Sequence, residues 1–145
     1  MCGMCVYACF ENLELGQGER CFEAIVDDEC PECLKGDLDL GENGSGRWPV
    51  QWLTIQCPEA PDGLMFSTQG SNPWYAKVKA QGGPSSVESM TCNGLPGFLT
   101  PDAFFEFLSS TGDFACGMDC EVVYSNGFGT GSGKVTASQI GGKCN

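Results

Sequence analysis

Eleven cysteines in 145 residues constrain this chain more than anything else it contains. Such a density belongs to chains stapled by disulfides in an oxidising compartment and is rare in reduced cytosolic ones. Most of the eleven are therefore expected to be disulfide partners. The odd count leaves one thiol that is free or has its mate outside the sequence given. Cys2-x-x-Cys5 and Cys30-x-x-Cys33 also trace the outline of a tetrathiolate zinc site. The long stretch between them, the seven other cysteines and the absence of histidine weigh against a metal. As a redox motif, "CPEC" would need a helix N-terminus to stabilise its thiolate, and the residues after it supply none. "DDECPECLKGDLDL" likewise lacks the ligand register of a helix-loop-helix calcium loop.

A hydrophobic content of 41% is enough for a packed core, in one ordinary domain or two small ones. The net charge of -12 is unevenly spread, with twelve acids and three bases in residues 1–60 against seven acids and four bases in 61–145. That balance repels nucleic acid and anionic membrane surfaces and leaves a neutral partner such as a glycan open. The opening "MCGMCVYACFENLELG" has no basic leader region or long apolar run, and no stretch of the sequence is apolar enough to span a bilayer.

The texture changes along the chain. The Cys-rich, acidic first part closes with "RWPVQWLTIQC", a strand with apolar groups on both faces and so expected to be central in its sheet. "PEAPDG", residues 58–63, then combines two prolines with Asp-Gly, and the division between two domains, 1–60 and 61–145, is placed there. Beyond it, "LMFST", "WYAKVKA", "SSVESMT", "CEVVYS" and "GKVTASQ" are short strand candidates separated by Gly-, Pro- and Asn-rich turns, as in an antiparallel β-sandwich. The spacing predicts one helix or helical turn, in "TPDAFFEFLSS", with Thr100 as cap and Phe104, Phe107 and Leu108 on one face.

Four motifs in order, "CGMCV", "DDECPECLKGDLDL", "VQWLTIQCP" and "TQGSNPWYAKVK", resemble the expansin family, including its microbial expansin-like members. The resemblance covers nearly the whole chain and implies an all-β protein. Its first domain would be a partial six-stranded double-psi β-barrel, related to family 45 glycoside hydrolases, and its second an immunoglobulin-like β-sandwich that binds cellulose. It implies non-hydrolytic loosening of cell walls through binding of β-1,4-glucan such as cellulose or xyloglucan. No cofactor or metal is then needed, and the protein would act as a secreted monomer.

Carried over by motif, Asp39 aligns with the aspartate required for loosening and Asp28 with its groove neighbour. Like-charge proximity would favour keeping one of such a pair protonated, so that Asp39 could donate to a sugar oxygen. Trp74, Tyr75 and Phe104 align with the aromatic platform, whose flat rings match the C–H faces of pyranoses. Trp74 and Tyr75 are sequence neighbours and a regular strand would send them to opposite faces. They share a platform only if the strand starts irregularly, which Pro73 allows.

The family's first barrel strand has no counterpart in the sequence given, and "GENGSGRWP" stands where the family has a Ser-x-x-Ala-Phe helix, shortening one wall of the groove. Two other readings follow from the same residues. One is a carbohydrate-binding protein without loosening activity, indifferent to Asp39; the other is a cysteine-rich zinc or extracellular interaction protein that binds no glycan.

Overall fold

The computed structural model describes residues 2–11, 21–41 and 47–144, and is all-β. Positions 42–46 of the "GENGSGRWP" stretch lie outside the described residues. Strands β1 (Cys5–Phe10), β2 (Cys21–Ile25) and β3 (Val50–Ile55) form an antiparallel sheet in the order β2-β1-β3. β3, expected to be central, is thus an edge strand among the described residues, and the central place belongs to "CVYACF". Cys5, Val6 and Ala8 of β1 are buried, whereas Leu53 of β3 is exposed.

The remaining strands are β4 (Met65–Thr68), β5 (Tyr75–Gln81), β6 (Val87–Cys92), β7 (Leu95–Pro96), β8 (Phe98–Leu99), β9 (Phe105–Leu108), β10 (Gly117–Tyr124) and β11 (Thr130–Thr136), followed by the short helix α1 (Ala137–Ile140). They build two four-stranded sheets, β11-β10-β6-β7 and β4-β5-β9-β8. The sheets enclose one core. Strict alternation along β5 and β9 turns Ala76, Val78, Phe105 and Phe107 inward, where they meet Met90, Met118, Val122 and Val135 of the facing sheet. Burying a ring such as Phe107 contributes about 2–3 kcal/mol.

Asn93 and Gly94, both with positive φ, close the hairpin between β6 and β7 as a primed turn that matches strand twist. The chain then switches sheets at Gly97, where any Cβ would collide with the Phe107 and Phe105 side chains. The predicted helix in 100–110 is not formed. Residues 101–103 make a turn, with Ala103 left-handed at φ 61°, and β9 follows. Phe105 and Phe107 are buried while Glu106 and Leu108 face out, a period of two that extended chain satisfies and a helix cannot.

Five disulfides hold this framework. Cys5–Cys57 and Cys9–Cys21 brace the three-stranded sheet, and Cys30–Cys33 closes the acidic loop. Cys92–Cys120 joins directly opposed residues of β6 and β10, and Cys116–Cys144 ties down the C-terminal segment. Cys2 is free. Three of the four sulfurs in the zinc-like spacing are therefore in disulfides and are not thiolate ligands.

Candidate functional site

The outward face of the β4-β5-β9-β8 sheet carries Tyr75 and Phe104, and Trp74 stands in the turn at the head of β5. Asn72 starts a tight turn, its side-chain oxygen accepting from the amides of Trp74 (2.9 Å) and Tyr75 (3.0 Å) while its own amide donates to the Tyr75 carbonyl (2.7 Å). Trp74 therefore sits in the turn that precedes β5 and escapes strand alternation. It is 59% exposed, and its indole rests against Gly112, where a Cβ would come within 3.1 Å of the ring.

Tyr75 points out from β5 on the face opposite Ala76 and Val78. Its hydroxyl donates to Glu106 Oε1 at 2.8 Å, and this bond, reinforced by partial burial and the carboxylate's charge, raises the phenol above its ordinary pKa. Phe104 is half-buried on the same face, with Lys77 Nζ and Lys79 Nζ 5.0 and 5.7 Å from its ring centre. Lys77 is held by Asp102 at 2.6 Å. That ammonium is the main reason the Asp102 carboxyl lies below its ordinary value, with the Thr100 hydroxyl second. Two surface residues of this sheet went unnoticed in the sequence, Glu106 and Phe98, and Leu108, read as part of a buried helical face, is instead strongly exposed, as is Phe98. The alternation of "FFEFL", read at period two, would have placed both Glu106 and Leu108 outward.

The acidic loop is a chain of local turns. The Cys30–Cys33 disulfide closes the first, with the Cys33 amide donating to the Cys30 carbonyl. In the second, Asp37 accepts from the Leu34 amide at 3.1 Å and Gly36 takes φ 98°. The indole of Trp52 on β3 donates to the Gly36 carbonyl at 2.7 Å and fixes the loop to the sheet. Asp39 and Asp28 are both exposed. Asp28 accepts from the next amide, Glu29, at 2.7 Å. Asp39 has its carboxylate, that of Glu32 and the Cys30 sulfur within 4.8 Å of one another. The carboxylate beside Asp39 there is that of Glu32.

Between the three-stranded sheet and the two larger sheets lies a mainly apolar cavity of about 830 Å³, bordered by Ile25, Ile55, Leu99, Phe105 and Tyr124. None of Asp28, Asp39, Trp74, Tyr75 and Phe104 lines it. At its rim Lys79 and Asp27 approach to 3.9 Å, which links the acidic loop's approach to the aromatic face.

The described residues thus make an all-β, disulfide-braced chain with an aromatic sheet face and an acidic loop. The fold is expansin-like. Two crystal structures of the expansin of Clavibacter michiganensis match it. The ligand-free form gives a TM-score of 0.66 at 17% identity, and a point mutant in complex with cellohexaose gives 0.65 at 15%. Each match covers 94% of this chain and 67% of the other. No protein-family model and no curated protein sequence matches.

Proposed function

We propose that this chain binds β-1,4-glucan through the outward face of the β4-β5-β9-β8 sheet and acts on polysaccharide contacts without cleaving a bond. The observation that carries the reading is the Asn72-Pro73 turn, which delivers an exposed Trp74 beside an outward Tyr75 at the head of β5. In this reading the two neighbouring rings together offer the flat apolar surface that pyranose C–H groups stack on. Phe104, half-buried under two lysines, extends the apolar floor. Support comes also from the cellohexaose bound by the mutant expansin of similar fold.

In this reading residues 61–145 are the binding module and residues 1–60 supply the acidic loop, with Asp39 as the group that meets a sugar oxygen and Asp28 on the approach. Glycoside hydrolysis needs two carboxyl groups flanking the scissile bond. In this reading Asp39 acts by hydrogen bonding alone, on extracellular wall polysaccharide, with the Glu32 carboxylate beside it on the same loop. No helix among the described residues is long and apolar enough to cross a membrane.

The test is co-sedimentation with insoluble cellulose, with released reducing sugar measured in parallel. The intact protein is expected in the pellet, Trp74→Ala in the supernatant, and no sugar released. Retention of Trp74→Ala equal to that of the unsubstituted protein would remove the aromatic face from the reading, and sugar release would overturn the non-hydrolytic part.

A further inference from the structure

We propose that Phe98 is a further stacking position on this face, so that a glucan chain crosses the sheet from Tyr75 on β5, over Glu106 on β9, to Phe98 on β8. The inference rests on the glucan-binding reading above. Its own basis is strand register. Lys77 of β5 is directly opposite Glu106 of β9, and Glu106 is directly opposite Phe98 of β8, which puts the three side chains in one row. They share a face. Gly97, the residue before Phe98, lies against the inward rings Phe107 and Phe105, so alternation sends Phe98 outward with Glu106.

The rings differ in how open they are. Phe98 is 65% exposed and, among the described residues, has no ring or cation contact. Phe104, in contrast, is half-buried with two ammonium groups over its ring, so a pyranose stacking there would have to displace them. Phe98 offers its surface without that cost.

Spacing and polarity fit an oligosaccharide. Strands β5 and β8 are two neighbours apart in the sheet, a lateral separation of roughly 10 Å. Tyr75, opposite Leu108, is displaced two residues along β5 from the Lys77–Glu106–Phe98 row, so the path from Tyr75 to Phe98 is a diagonal of roughly 12 Å, close to the disaccharide repeat of an extended β-1,4-glucan. Between the two rings stands the Glu106 carboxylate. Tyr75 engages its Oε1, and Oε2 has no hydrogen-bond partner among the described residues. A sugar hydroxyl above β9 therefore finds an acceptor flanked by two stacking surfaces. This is the alternation of ring and polar group that fixes a carbohydrate's position.

Calorimetric titration with cellohexaose tests the assignment on the full chain and on Trp74→Ala, Phe98→Ala, Phe98→Trp and Val123→Ser, the last an exposed control on the other sheet. Phe98→Ala is expected to weaken binding roughly tenfold, the loss of one stacked ring face. Phe98→Trp should restore or tighten it, and Val123→Ser should leave it unchanged. Phe98 is exposed, so thermal unfolding of Phe98→Ala should match that of the parent protein. If Phe98→Ala binds as the parent does while Trp74→Ala is weakened, the Phe98 assignment falls and the glucan reading stands. If the parent protein binds no cellohexaose, both fall.

Discussion

Asp102 shows how single side chains hold the aromatic face in shape. Its carboxylate is bonded to Lys77 Nζ and receives the Thr100 hydroxyl, while Lys77 in turn lies over Phe104. A carboxyl group whose folded pKa is depressed contributes stability that is present above its unfolded value and is lost as pH falls through the folded value. The Asp102 contribution is therefore complete at neutral pH and disappears below the ordinary carboxylate value of 3.8. Asp102→Asn is expected to unfold at lower temperature than the parent near neutrality, with the two curves of melting temperature against pH converging in acid. An offset that persists below the carboxylate range would show that packing, and not the charge, accounts for the difference. Tyr75 and Glu106 form the companion pair, in which the protonated phenol is the donor and stays so through neutral pH.

At the scale of elements, the C-terminal segment depends on a cap and a bridge. The Thr136 side chain accepts from the Gln139 amide while the Gln139 side chain accepts from the Thr136 amide, a capping box on a helix of only four residues. Cys116–Cys144 closes a loop of sequence separation 28 around it. Replacing both cysteines by alanine is expected to cost roughly 2–4 kcal/mol in urea unfolding, by freeing the unfolded chain. Cellulose retention should persist, since the aromatic face belongs to the other sheet. A loss below about 1 kcal/mol would mean that the packing of Ile140 and Phe114 already holds the segment.

The elements also show what the sequence made legible. The strands of the second half were readable because their alternation is clean and Gly-Asn turns punctuate it. β9 was misread because "FFEFL" satisfies a helical face and an alternating strand equally, and the choice was made by Phe105 and Phe107 meeting a sheet from elsewhere in the chain. β1 was not recognised as the central strand because two of its six residues are cysteines, which read as disulfide partners rather than as strand packing. Within the candidate site, the irregular start of β5 expected at Pro73 coincides with the Asn72 turn that holds Trp74 outside the strand. The site was illegible where register acts: Phe98 reaches the aromatic face through its pairing with Glu106, and Glu32 reaches Asp39 through the fold of a disulfide-closed loop.

For the whole molecule, the reading separates holding from acting. The aromatic face would hold the glucan and the acidic loop would act on it, and the two are linked near the Lys79–Asp27 approach. Asp39→Asn is thus expected to sediment with cellulose as the parent does, while extension of wall strips under constant load falls to the level without protein. Unchanged extension would leave a binding protein with no loosening activity, and Asp39 would then be a solvated loop residue. The exposure of Asp39 makes the test clean, because its replacement disturbs no buried contact.

The two disulfides of the larger sheets overlap in sequence, since Cys116 lies inside the Cys92–Cys120 loop and Cys120 inside the Cys116–Cys144 loop. A force pulling from the N-terminal side of Cys92 against the far end of the chain would travel through the first bridge, back along the short stretch from Cys120 to Cys116, and out through the second. Outside the shared stretch from Cys116 to Cys120, each bridge shields 24 residue steps (92 to 116, and 120 to 144), so each hides roughly 80–85 Å of contour from that force. Most of the chain from Cys92 to Cys144 is thus mechanically inextensible. A protein gripped between sliding fibres would yield first outside this interlocked segment, in its N-terminal part or at its contact with the sugar.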